Sequence, residues 1–445
     1  MSLKKITSQC EDSVTVVSVT VPDVESLKNL TSCDVFVDEH NLLFSCDYVT
    51  YRYYSTRKID VKDMKELQVL LDTTKREFVL RIPLLPADCL PDDKIQNTDS
   101  PAKRIPSAVN ILSMQRAAET CTFLMNGERG QFQRKFSYGF GCNFDDDTSL
   151  LEDTLRPISR ITNPNGFSPI QRCYQREQDE KRDFCREQYK LNFVELQVPD
   201  GLENPAKFAF SCSDSKLDTK QQYSLKVILE KPLKLSPCRE AYVDAGLVEL
   251  ILVICYDVRS TQNETTCESA WTRSILSSML TYFETSPNLR TVIENFLRRS
   301  LIYPLYRNYD LSRMCIEDAI AALQMGSKWI LKQLLVTYEL FLTSDDNRSL
   351  YNKYFIEDYI RYVSSVEDNY LKTLSRNLKN LHLNISKKDT RLNLSDIETE
   401  LLKELIEDIH LGNSDDSDDD DADSDGSDDE SSSEDTESGS EENNA

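Results

Sequence analysis

The sequence predicts a multidomain protein: an N-terminal antiparallel β-sandwich, then an irregular all-α domain, then a disordered acidic tail. Three observations predict it. Apolar and polar residues alternate along roughly the first ninety positions, which is the period of a half-buried strand. Apolar residues then recur at helical spacing as far as Leu411. Beyond that point the chain is almost entirely Ser, Asp and Glu, with too little apolar area to offset the entropy of ordering. By position, the sandwich takes residues 1–91, a partly helical linker 92–136, the helical domain 137–411 and the tail 412–445.

Within the first segment, Val17, Val19 and Val21 alternate with Ser18 and Thr20. Val35 and Val37, Leu42–Phe44, Tyr48–Tyr54, Leu67–Leu71 and Phe78-Val-Leu80-Arg-Ile82 follow, with turn residues such as Asp38–Asn41 between them. The stretch Asp99-Ser-Pro-Ala-Lys-Arg-Ile-Pro106 reads as linker, and a helix is expected over Ala108–Phe123. In the third segment, Ser286-Pro287 predicts an N-cap followed by proline at the first helical position. Leu289, Val292, Ile293, Phe296 and Leu297 then mark one helix face. Ile316, Ile320, Leu323, Ile330, Leu331, Leu334, Tyr338 and Phe341 extend the pattern. Ser395-Asp-Ile-Glu398 predicts a capping box before Leu401, Leu402, Leu405 and Ile409.

The formal charge of −24 is mostly a property of the tail. Ser414–Ala445 holds 16 acidic residues and no Lys or Arg, which leaves −8 for everything before it. Five tail serines, Ser417, Ser427, Ser431, Ser432 and Ser438, have an acid three residues on, so they are candidate phosphorylation sites for acidophilic kinases. The 13 cysteines are scattered without a C-x-x-C pair, and only three histidines are present, so no metal module is expected. Neither a membrane-spanning run nor an N-terminal signal core is evident.

Catalytic chemistry finds little support. Gly139-Phe-Gly141 lacks the third glycine of a dinucleotide fingerprint, and Gly326-Ser-Lys328 lacks the upstream glycine of a phosphate loop. Neither a nucleophile–base constellation nor a cofactor is expected, so the chain is read as not an enzyme. Paired acids such as Glu357-Asp358 fit a solvated face or a helix cap better than acid–base work. Tyr51–Lys58 and Arg298–Arg307 interleave basic and aromatic residues, but a chain of pI near 4.7 would repel phosphate, and no direct nucleic-acid binding is expected. Two stretches are dense in aromatic, proline and arginine residues: Cys255–Arg259 with Glu268–Trp271, and Ile302–Arg307. They suit either inter-helix glue or a partner surface, and Arg259 with Glu268 can supply an ion pair or hydrogen bonds between neighbouring helices.

These words carry a resemblance. Tyr138-Gly-Phe-Gly141, Tyr256-Asp257-Val-Arg259, eight residues of spacer and Glu268-Ser-Ala-Trp271 stand in the order and spacing of the Shq family of box H/ACA ribonucleoprotein assembly factors. Tyr282-Phe-Glu284, Arg299, Tyr303-Pro304-Leu-Tyr306-Arg307, Leu323-Gln-Met-Gly326 and Tyr354-x-x-x-x-Tyr359 continue it. Cys142 and Tyr282 depart from the family pattern, and Leu191–Tyr223 matches none of it.

The resemblance implies that the N-terminal sandwich is a CS domain, the alpha-crystallin-like fold of several co-chaperones. It implies a chaperone, without ATPase chemistry, that binds the catalytic and PUA domains of a dyskerin-type pseudouridine synthase before guide RNA is loaded. The pontin and reptin ATPases would release it. The resemblance further implies a monomer in nucleoplasm and cytoplasm with no membrane association. The alternative reading is a CS-domain co-chaperone of the large cytosolic heat-shock ATPase. Because the linker and helical domain together carry only −4, an RNA placeholder would have to gather its acids on one face. Asp145–Asp147, Glu152-Asp153 and Glu357-Asp358 are the candidates.

Overall fold

The computed structural model describes residues 6–11, 14–20, 33–37, 40–46, 49–55, 57–60, 67–72, 77–85, 115–116, 122–125, 128–130, 136–195, 215–235 and 239–412. The tail with its five serines and residues 92–114 of the expected linker lie outside them.

Among the described residues, ten strands form the N-terminal region: β1 (Ile6–Glu11), β2 (Val14–Thr20), β3 (Cys33–Val37), β4 (Asn41–Cys46), β5 (Val49–Tyr54), β6 (Gln68–Asp72), β7 (Glu77–Pro83), β8 (Gln115–Arg116), β9 (Thr122–Met125) and β10 (Glu128–Gly130). They make a six-stranded sheet, β1-β2-β7-β6-β9-β10, and a four-stranded one, β5-β4-β3-β8. Alternation decides which face is inward. Val17 and Val19 on β2, Val69 and Leu71 on β6, and Phe78, Leu80 and Ile82 on β7 share one buried core with Val35, Val37, Leu42 and Phe44 of the other sheet. Phe44 and Phe78 meet edge to face across it, with ring centroids 4.9 Å apart.

Two expectations are corrected. Gln115–Arg116, inside the predicted helix over Ala108–Phe123, and Thr122–Met125, which overlaps its end, are strands that extend one sheet each. Thr122-Phe-Leu-Met125 carries strand-forming residues, and pairing along Gln68–Leu71 supplies hydrogen bonds that an isolated short helix lacks. The second correction is that β9 pairs with β6 in parallel, so the larger sheet is mixed rather than wholly antiparallel.

The rest is mostly helical: α1 (Glu152–Leu155), α2 (Pro169–Asp183), α3 (Arg186–Glu195), α4 (Thr219–Leu229), α5 (Glu240–Ser260), α6 (Ser269–Leu276), α7 (Ser278–Tyr282), α8 (Leu289–Ser300), α9 (Tyr309–Met325), α10 (Ser327–Thr343), α11 (Ser349–Tyr351), α12 (Glu357–Ser365), α13 (Asp368–His382) and α14 (Leu394–Gly412). The described residues from Asp396 to Gly412, most of α14, group apart from the described residues before them. Helix α5 is buried nearly all round, from Tyr242 to Arg259, and so acts as the axis on which α6, α8 and α9 pack. Phe36 and Leu43, on the outer side of the smaller sheet, pack against Ile170 of α2, and Ser168 donates to the buried Asp34 carboxylate at 3.0 Å. That contact joins the sheets to the helices.

Helix starts differ in detail from the sequence reading. Asn288, not Ser286, caps α8, accepting from the Arg290 amide at 2.9 Å. Helix α14 opens at Leu394, so Ser395 lies within its first turn instead of ahead of it.

Candidate partner-binding cleft

The C-terminal end of α5 builds one wall of a cleft. Tyr256 and Asp257 fall on successive positions of its last turns. The helix then ends in a turn with Gln262 and Asn263 at positive φ (54° and 67°), where the Asn263 amide reaches back to the Val258 carbonyl at 2.7 Å. The chain returns through Thr266, whose amide donates to Ser269 Oγ at 3.0 Å, fixing the start of α6 and bringing Trp271 to the same wall. Opposite stands the irregular segment Tyr303–Arg307 between α8 and α9, where Pro304 cannot continue a helix. Its two ends are pinned: the Tyr256 hydroxyl donates to the Tyr306 carbonyl at 2.7 Å, and Tyr303 Oη to Asp183 at 3.3 Å. With Gln188 of α3 these residues enclose a cleft of about 610 Å³.

Of the residues singled out in the sequence, Tyr256, Asp257, Glu268, Trp271, Tyr303, Pro304, Tyr306 and Arg307 all line it. They come from three separate words of sequence. Trp271 is 36% exposed and neighbouring Leu305 77%, so the cleft has an open apolar lip. Asp257, at 1% exposure, accepts from Arg273 Nε at 2.7 Å through one oxygen, while its other oxygen has no hydrogen-bond donor among the described residues. Arg307 donates Nε to the Pro304 carbonyl at 3.2 Å, and burial lowers its pKa from the ordinary arginine value.

The other predicted residues are placed elsewhere. Arg259 does not pair with Glu268, which is exposed at the rim. It forms a two-pronged pair with Asp318 of α9, both contacts at 2.7 Å. Burial raises the Asp318 carboxyl despite this guanidinium. Arg299 and Glu284 belong to a charged core behind the cleft. Glu180 of α2 accepts from Arg176 at 2.8 Å, Arg298 at 3.1 Å and Arg299 at 3.0 Å, and all four side chains are buried. Burial alone would push the Glu180 carboxyl up, but the three guanidinium groups overcome it and hold the pKa below the usual range. Glu284 takes the remaining face of Arg176. The Arg299 guanidinium lies between the rings of Tyr282 and Tyr303, 5.2 and 4.9 Å from their centroids. Tyr282 uses its hydroxyl to reach Asp179 at 3.0 Å. Tyr303, chiefly through burial, is pushed up to about 12. Glu357 and Asp358 are half-buried and both turn to Arg361 of their own helix, at 3.0 and 2.5 Å, so neither is a free acid.

Sequence reasoning missed Glu180, Arg176, Arg273, Asp318 and the buried Glu249. The run Gln175–Asp183 looks like a solvated charged helix. One signal was available: Ile170 and Cys173 set an apolar stripe, and Arg176 and Glu180 continue it on the same face. Glu249 caps α7, accepting from Ser277 Oγ, Ser278 Oγ and the Met279 amide with one oxygen, and burial raises its pKa. Among the described residues, no cluster of His, Cys, Asp and Glu could hold a metal ion, and no helix is long and apolar enough to cross a membrane.

Fold and site together define a class: a two-sheet β region joined to a helical scaffold that presents an aromatic, charged cleft. Comparison with known proteins names it further. The SHQ1 protein, Shq1 domain, family model matches residues 209–394. A Drosophila melanogaster protein called Protein SHQ1 homolog is 35% identical over 421 residues, 86% of this chain and 69% of that protein. The Xenopus tropicalis protein of the same name is 29% identical over 60% of this chain, and Protein shq1 of Schizosaccharomyces pombe 27% over 63%. The chain belongs to the SHQ1 family. The matched part takes in 46% of the frog relative and 64% of the fission-yeast one.

Proposed function

We propose that this chain is an assembly chaperone for box H/ACA ribonucleoproteins, one that binds a dyskerin-type pseudouridine synthase before RNA loading and shields its RNA-binding surface. The observation that carries the reading is convergence: motif words scattered over some fifty residues of an SHQ1-family chain meet in one open cleft. Nothing in the packing of α5 requires Trp271 and Leu305 to be exposed side by side, and a partner surface does.

The placeholder part of the reading rests on charge. Asp145–Asp147 are exposed, and Asp153, also exposed, meets Arg156 at 3.4 Å. These carboxylates can stand where phosphates will later bind, and a basic partner surface so covered is stabilised by mass action. Glu357-Asp358 drops out of this role, since Arg361 already answers both. Release by pontin and reptin, and residence in nucleoplasm and cytoplasm, belong to the same proposal. So does a CS-type identity for the two packed sheets. Part of the smaller sheet's outer face is covered by Ile170 and Tyr174, which favours a scaffold role for that face over docking of a heat-shock ATPase.

The test is co-purification of the full chain with the synthase, with and without H/ACA guide RNA. Competition between chain and RNA is the expected result. A stable complex of all three would sink the placeholder mechanism, and capture of the heat-shock ATPase alone would sink the assembly role.

A further inference from the structure

We infer that the cleft grips an acidic side chain of an extended partner segment through Arg307, with an N–H of the same segment donated to the free oxygen of Asp257; this rests on the partner-binding reading above.

The argument starts from how this molecule treats its arginines. Arg259, Arg273, Arg298, Arg299 and Arg361 each meet a carboxylate at 3.1 Å or less. Arg307 is half-buried, and among the described residues its hydrogen bond goes to the Pro304 carbonyl; no carboxylate faces it. A guanidinium has five N–H groups in a fork that matches a carboxylate. Partly withdrawn from water and short of an anion, it is an incomplete pair. Across the same cleft stands the opposite deficit. Asp257 is buried, Arg273 occupies one oxygen, and the other is an acceptor without a donor. A buried acceptor left unmet costs free energy comparable to a lost hydrogen bond.

One occupant meets both needs: a peptide carrying an Asp or Glu side chain for Arg307 and a main-chain or side-chain N–H for Asp257. Tyr306, Pro304 and Trp271 supply the apolar walls between the two points. A nucleic-acid phosphate would satisfy Arg307 but carries no donor of its own for Asp257, whereas each residue of a peptide brings an N–H beside its side chain. The geometry therefore favours an acidic peptide over RNA. Such a grip complements the placeholder's carboxylates, because recognition then demands an acid on the partner as well as a basic surface.

The probe is an array of overlapping synthetic peptides covering the pseudouridine synthase, titrated with the full chain. At least one acid-containing peptide is expected to bind, about tenfold more weakly when its Asp or Glu is replaced by Asn or Gln. Arg307→Met, which keeps the apolar stem, should bind both versions equally and weakly. Arg307→Glu should prefer the peptide whose acid is changed to Arg. The inference is overturned if no acidic peptide binds, if the acid-to-amide change has no effect, or if an oligonucleotide rather than a peptide depends on Arg307. If the whole synthase binds and competes with RNA while Arg307→Met is indifferent, this inference fails and the placeholder reading survives. If the synthase does not bind at all, that reading fails as well.

Discussion

Arg299 and Arg307 stand eight residues apart in one stretch of chain and meet opposite fates. Arg299 is fully buried, paired with Glu180 and held between two tyrosine rings. Arg307 faces an open cleft and finds a carbonyl but no acid. The difference teaches how this fold sorts its charge. Where helices α2 and α8 close on each other, the guanidinium groups are kept by a shared anion, and Glu180 serves three arginines at once. Past the end of α8 at Ser300, in the irregular Tyr303–Arg307 segment, no carboxylate among the described residues reaches the side chain. The first arrangement holds the scaffold rigid; the second leaves chemistry available.

The sharpest way to break that contrast is at Glu180. Glu180→Gln leaves three buried guanidinium groups around a neutral amide and is expected to cost about 3–5 kcal/mol, read from denaturant unfolding. Its pH dependence has a definite sign. The Glu180 carboxyl lies below its ordinary 4.5, so its contribution is fully present above that value and lost as pH falls through the lowered pKa. The deficit of Glu180→Gln against the parent should therefore shrink toward acid pH. A deficit unchanged by pH would show that the pair does not hold the core.

Next in size is Asp318→Asn, which strips the buried Arg259 of its anion; about 2–4 kcal/mol is expected, since Asp318 is somewhat more exposed than Glu180. Glu249 behaves in the reverse sense. Its carboxyl is raised by burial, so it favours the fold below its ordinary 4.5 and loses that advantage as pH rises through the raised value. Relative to the parent, Glu249→Gln should gain as pH rises from about 4 to about 7, the mirror image of Glu180→Gln. Thermal unfolding across that range separates the two.

Within the cleft the effects are smaller. Tyr256→Phe removes the hydroxyl that pins Tyr306 and should cost about 1 kcal/mol, while loosening the Tyr303–Arg307 segment to faster amide exchange. Arg307→Met should change stability by less than about 0.5 kcal/mol and yet weaken partner binding. A large loss of stability there would erase the distinction between the two arginines.

Much of the fold was legible in the sequence. Alternation of valines and aromatics identified β2, β3, β4 and β7, and helical spacing identified α8, α9 and α10. The short strands Gln115–Arg116 and Thr122–Met125 were not legible, because two to four residues carry no period and their partners on β3 and β6 lie 54 to 80 residues earlier. The cleft was half legible. Its aromatic and proline words were visible as dense, spaced motifs, but Glu268 was assigned to Arg259 on proximity in the chain, and space assigned that arginine to Asp318 instead.

By itself, then, the sequence determined which segments could be strands and which helices, where the charge of −24 resides, and which words belong to the SHQ1 family. Periodicity and composition are local properties and need no neighbour to be read. Only the tertiary structure decided which charges are cores and which are sites. An arginine's role depends on whether a carboxylate reaches it and whether water is shut out. Arg299 receives its answer from Glu180, 119 residues earlier in the chain, whereas Arg307 sits where no packed element supplies one.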